Sequence, residues 1–271
     1  MRVYSSRRNP TWVLKDEERT EFLSLADSLF SDANKCDTIY VSQLGYTGFE
    51  VVDSKGGCIH VINNKKLESH LLKSYIKFRS ESNDDPTSIL SVVNHVTEVI
   101  STGIDTSAVQ KQSLYSLSPN EILRGPDNVT RFNPGKWSRP VEALRLNNCY
   151  NYATDVRTDT FAQPGRGGTG KDLSVYTCSE IWDRSIKDGL NPLGKKCPKK
   201  EAPVVGHYVS LVMWPGEDFH WYRKDLEKTW SHKPGTGYVL NRDRGGNIIN
   251  NPDEANISPY TEICGYYVAI P

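Results

Sequence analysis

Between residues 15 and 33 the apolar positions recur with helical spacing, placing Phe22, Ala26, Leu29 and Phe30 on one face. Asp16, Glu17 and Glu18 fill the first turn, where the helix dipole favours acidic side chains. Gly48–Asp53 and Cys58–Ile62 then flank Ser54-Lys55-Gly56-Gly57, which predicts a hairpin. Residues 65–78 return to helical spacing, with Leu67, Leu71, Leu72, Tyr75 and Ile76 in a stripe. This helix–hairpin–helix pattern has its own apolar faces and predicts a small α+β unit over residues 1–80. The polar stretch Ser80–Pro86 is the expected boundary.

A further helix is predicted at 87–101 from Ile89, Val92, Val93, Val96 and Ile100. From 102 to 140 the chain is rich in Ser, Asn, Pro and Gly, and reads as a connector with one short helix near 119–123. Beyond it, helices are predicted at 149–156 and about 174–188, the second stopped by Gly189. A Gly-rich loop at 164–170 separates them, and strands are predicted at 206–214, 218–224 and 263–270. The run Val209–Trp214 is almost unbroken in its apolar character, so its strand is expected to be central and covered on both sides. Placing a tight turn at Pro215-Gly216-Glu217 would set Trp214 against Asp218, His220 against Val212 and Asp225 against His207. The fold class is α+β, divided into 1–80, a connector at 81–140 and a C-terminal domain at 141–271.

Composition narrows the function classes. With 33 basic and 33 acidic side chains, no global field recruits nucleic acid or an anionic membrane, so neither partner is expected. The basic start Met1–Pro10 is not followed by the apolar stretch a secretory signal needs. A cytoplasmic protein, or one exported without a cleaved signal peptide, is therefore expected. The six cysteines form no CxxC pair, and they read as separate reduced thiols without a metal or disulfide framework. No cofactor and no metal are expected.

Candidate chemistry centres on Cys149 and His207. Asn147-Asn148 precede the cysteine and can cap a helix, which sets its sulfur where helix N–H groups favour thiolate. His207 opens the apolar strand and could serve as its base. A cysteine on a helix start followed by a histidine on a strand resembles the papain-like cysteine hydrolases, in their compact NlpC/P60 and CHAP branch. The resemblance covers roughly residues 145–235. It implies a papain-like domain that hydrolyses an amide or peptide bond in a peptide or peptidoglycan-like substrate. In that scheme Cys149 attacks, His207 moves the proton, and His220 or Asp225 orients His207. The resemblance favours His220, while the strand register favours Asp225. Asn147 and Asn148 stand where larger relatives carry an oxyanion-hole Gln, so the side-chain donor departs from the pattern.

Other features carry other readings. Asp218–Gly235 is also similar to a stretch of uncharacterised bacterial proteins and of mollusc insoluble shell-matrix proteins, a likeness that assigns no activity but implies a portable module of non-enzymatic function. Balanced charge, abundant aromatics and the lack of a secretory signal are compatible with the alternative of a structural or assembly protein that keeps the fold without the chemistry. His220 and His232 sit among aromatics and are expected to line a groove. Trp221, Tyr222 and Trp230 are candidates for a sugar-stacking platform. Gly165–Asp172 nearly spells a phosphate loop, but Asp172 stands where Ser or Thr is needed and no buried strand precedes it. Lys195–Lys200 reads as a solvated basic loop with a minor potential for anions. Asp155, Asp159 and Asp183 match no metal-binding spacing.

Overall fold

The computed structural model describes residues 1, 4, 6, 9–26, 46–52, 58–82, 86–103, 130–139, 141–166, 173 and 175–271. The predicted short helix at 119–123 and most of the Gly-rich loop lie outside them. The chain forms two compact units, and the elements combine helices with antiparallel sheet. The expected α+β class therefore holds.

The first unit contains α1 (Asp16–Ala26), a hairpin of β1 (Phe49–Val52) and β2 (Cys58–Val61), α2 (Lys65–Glu81) and α3 (Pro86–Thr102). The hairpin is a separate two-stranded sheet. Phe22, Leu67, Leu71, Tyr75, Val92 and Val96 supply its core, as their helical spacing predicts. Ile76 leaves the expected stripe and is partly exposed. α3 belongs to this unit, so the expected boundary at 80–87 falls within it. The reason is that α3 carries an apolar face of its own and packs it on α2.

The second unit is built on a five-stranded antiparallel sheet in the order β3-β7-β4-β5-β6. These strands are β3 (Asn191–Gly194), β4 (His207–Trp214), β5 (Asp218–Lys224), β6 (Trp230–His232) and β7 (Glu262–Ala269). Every residue of β4 is buried, which is what its unbroken apolar run predicts for a central strand. Helices α4 (Pro134–Ser138), α5 (Val141–Leu146), α6 (Cys149–Thr154) and α7 (Cys178–Lys187) complete the unit. Tyr4 and Ser6 also belong to it, and not to the unit that follows them in sequence.

The turn at Pro215–Glu217 sets the expected register, pairing Trp214 with Asp218, Val212 with His220 and Val209 with Arg223. Because side chains alternate across a strand, residues 207, 209, 211 and 213 share one face with 219, 221 and 223. That face receives α6 and α7, burying Cys149, Ala153, Ile181, Leu211, Met213, Phe219, Trp221 and Tyr267 together.

A disulfide joins Cys178, the first residue of α7, to Cys264 on β7. Cys58 is disulfide-bonded as well, and its partner lies outside the described residues. These bonds overturn the expectation of reduced, separate thiols. The spacing of the cysteines gives no sign of them because α7 and β7 meet only through the tertiary fold.

Candidate functional site

Local sequence builds the start of α6 as expected. The Asn148 side chain accepts from Tyr150 N and Asn151 N, both at 3.1 Å. Asn151 Oδ1 accepts from Asn148 N at 3.0 Å, closing a capping box. Cys149 thus stands at the first helical position. Its side chain, however, points into the core and is fully buried, and its thiol faces the Phe219 carbonyl at 3.9 Å. Burial, and then the negative charge of Asp218, push the thiol well above its ordinary pKa. The helix-terminus effect that favours thiolate is outweighed by desolvation.

His207 is equally enclosed. Its Nε2–H donates to the Ala153 carbonyl at 2.6 Å, and its Nδ1 is buried without a hydrogen-bond partner. Neither ring nitrogen is bonded to the sulfur. Burial and the nearby Arg223 cation lower the ring's pKa to about 4, against the opposing pull of the Ala153 bond. The pair is a neutral thiol and a neutral imidazole on one face of the sheet, each held by a different backbone carbonyl.

The two candidate orienting residues do other work. His220 pairs with Val212, so its ring lies on the sheet face opposite His207. There its Nε2 meets His232 Nδ1 at 2.8 Å, and His232 Nε2–H donates to the Arg242 carbonyl at 2.9 Å. Both rings are buried, so they line no open groove. Asp225, one residue past the end of β5, accepts from Arg223 Nε at 3.0 Å. Burial raises its carboxyl to about 6 despite Arg223.

Trp221, Tyr222 and Trp230 are fully buried, which removes the proposed stacking platform. Asp155 is paired with Lys136 at 2.8 Å, and Asp159 with Arg157 at 2.6 Å. Among the described residues no three His, Cys, Asp or Glu side chains are grouped to hold a metal ion.

Three polar centres went unread in the sequence. Arg223 donates to Asp225, to the Tyr152 carbonyl at 3.2 Å and to the Arg131 carbonyl at 3.0 Å, and stacks over the Tyr152 ring at 4.0 Å. Lys233 donates to the carbonyls of Leu144 at 2.6 Å and Asn147 at 2.7 Å, and to that of Gly235. Asp218 takes the Tyr260 hydroxyl at 2.6 Å and both donors of Ser6. Ser6 in turn offers its carbonyl to Asn148 Nδ2 at 2.9 Å and Gln163 Nε2 at 2.7 Å. The only sequence signal was the placing of charged residues inside an otherwise buried meander. What this arrangement does chemically is hold α5, α6 and the chain start against the sheet.

The fold and site define an α+β protein whose central charged and polar groups are enclosed in its second unit. Over 140 residues the chain is 41% identical to insoluble matrix shell protein 1 of Ruditapes philippinarum, covering 88% of that protein and 51% of this chain. The chain belongs to the family of that protein. No family model matches the sequence, and no solved structure matches it. The likeness to NlpC/P60 enzymes thus has no counterpart in either comparison. No helix among the described residues is long and apolar enough to cross a membrane.

Proposed function

We propose that this chain is a non-catalytic structural or assembly protein of an extracellular matrix. The observation that carries the reading is its 41% identity across most of a protein named for an insoluble shell matrix. Two features of the molecule support it. The disulfides suit an oxidising compartment, and so favour export over a cytoplasmic location. The enclosure of Cys149 and His207, each against a separate backbone carbonyl, supports a reading without thiol chemistry.

A second reading, a thiol-dependent hydrolase of papain-like fold, draws on one arrangement: Cys149 opens a helix and His207 opens a strand beneath it on the same sheet face. Alkylation distinguishes the two. In the native chain iodoacetamide should label half-buried Cys197 and leave Cys149 unmodified until the protein is denatured. Rapid labelling of Cys149 that persists to mildly acidic pH, and is lost in His207→Ala, would establish the hydrolase pair and overturn the structural reading.

A further inference from the structure

Residues 195–205, Lys-Lys-Cys-Pro-Lys-Lys-Glu-Ala-Pro-Val-Val, connect β3 to β4. The loop is pinned at its backbone. Cys197 N–H donates to Asp253 Oδ2 at 3.3 Å, and the Lys200 carbonyl accepts from Lys224 Nζ at 3.5 Å. Glu201 takes Lys228 at 2.7 Å. The side chains behave differently from the backbone. Lys195, Lys196, Lys199 and Lys200 are exposed, and their ammonium groups form no ion pair among the described residues.

Lys224, held 5.9 Å from the Trp230 ring, adds to the same surface. The opposing carboxylates are already engaged. Glu201 is paired with Lys228, Asp253 accepts from Tyr266 and Cys197, and Glu254 accepts from Asn251 at 3.0 Å. Six lysines therefore meet three occupied carboxylates, in a chain whose formal charges cancel. Directly after the lysines, Val204 is 98% exposed and Val205 46% exposed.

We propose that the 195–205 loop is a docking surface for an acidic polypeptide segment that also carries apolar side chains. Ammonium groups are point charges suited to carboxylates, and the loop has no arginine fork for bidentate recognition of phosphate or sulfate. It also has no aromatic ring on which a base or sugar could stack. The adjoining valine pair has a use only for a partner with apolar groups. This surface is independent of the matrix role proposed above and of any chemistry at Cys149.

The test uses the full chain and three fluorescent probes: a peptide of Asp-Asp-Leu repeats, an all-aspartate peptide and heparin. At low salt the leucine-containing peptide should bind more tightly than the all-aspartate one, and both should weaken as salt rises. Replacing Lys195, Lys196, Lys199 and Lys200 with Gln should weaken binding roughly tenfold or more, given the strength of exposed ion pairs. Val204→Ser with Val205→Ser should equalise the two peptides. Circular dichroism melts check folding, and paired variants (195/196 or 199/200) replace the quadruple one should it unfold. Unchanged binding by the lysine variants overturns the proposal. So does binding of heparin in preference to both peptides, or binding of no probe.

Discussion

Arg223 and Lys233 show how a buried charge in this protein earns its place. The Arg223 guanidinium is 1% exposed and is saturated by the carboxylates of Asp225 and Asp155, two backbone carbonyls and the Tyr152 hydroxyl at 2.9 Å. Removing one member of such a set leaves the rest desolvated and unpaired. Arg223→Ala should therefore cost about 3–5 kcal/mol, measured by urea denaturation, because Asp225 stays behind as an uncompensated buried acid. Replacing Arg223 and Asp225 together with Met and Leu should recover only part of that loss, because the Tyr152 and Arg131 carbonyls stay unpaired. An Arg223→Ala variant as stable as the parent would show that the hub is solvated. Lys233 follows the same logic with carbonyl partners only. Burial lowers its pKa to about 7, yet its three donors are all used.

At the scale of elements, strand alternation decides which candidates can meet. The register brings His207 and Arg223 to the α6 face and sends His220, Tyr222 and His232 to the other. The same alternation explains Ser231, which lies on the α6 face and contacts the Tyr152 hydroxyl at 2.5 Å. On β7 the pairing with β4 shifts between Leu211 and Val212, and Gly265 stands there with φ +154°. A Cβ at Gly265 would come within 2.1 Å of Trp182 Cζ3 and 2.9 Å of the Gly194 carbonyl. The missing side chain lets Trp182 of α7 lie on Tyr267, with ring centroids 4.4 Å apart. Gly265→Ala should thus destabilise the second unit by about 3 kcal/mol or more, through overpacking and a strained backbone. Calorimetric melts of the single variant and of Gly265→Ala with Trp182→Leu check this, since the smaller side chain should restore part of the loss. The disulfide from Cys178 to Cys264 ties the same helix to the same strand across 86 residues.

For the whole molecule the buried titratable groups set the response to pH. His207 and His232 each have a pKa of about 4, mainly through burial, against an ordinary 6.5. The unfolded chain therefore binds more protons than the folded one as pH falls from 6.5 to 4, and stability is lost across that window. Each ring contributes about 3 kcal/mol to the loss. His220 is shifted in the same direction by burial and by His232. For His232 the geometry gives the reason. Its Nε2–H is committed to the Arg242 carbonyl, so Nδ1 must accept from His220, and a proton on Nδ1 would face that donor. Asp225 acts in the opposite sense. With its pKa raised to about 6 from 3.8, it returns about 3 kcal/mol as pH falls between those values. The histidines outweigh it. Melts stepped from neutral pH to about 4.5 should show a falling midpoint, whereas a flat profile would mean that the rings are solvated.

Local and periodic features of this protein were legible in its sequence. The helical stripes of α2 and α3, the cap on α6, the buried run of β4 and the pairing of Val212 with His220 all depend on residues near one another in the chain. Short-range geometry and side-chain period suffice to place them. The candidate site depended on contacts of a different kind. Whether Cys149 faced solvent or core was decided by α6 lying on β5. The partner of His207 was decided by the Ala153 carbonyl at the far end of that short helix. The role of Cys178 was decided by β7 returning beside β4, and that of Ser6 by a carboxylate more than 200 residues away. Desolvation and hydrogen-bond partnership are properties of the assembled core. They turned a cysteine and a histidine with the order of a hydrolase pair into two neutral, enclosed groups, because in this fold burial exceeds anything a helix terminus offers a thiolate.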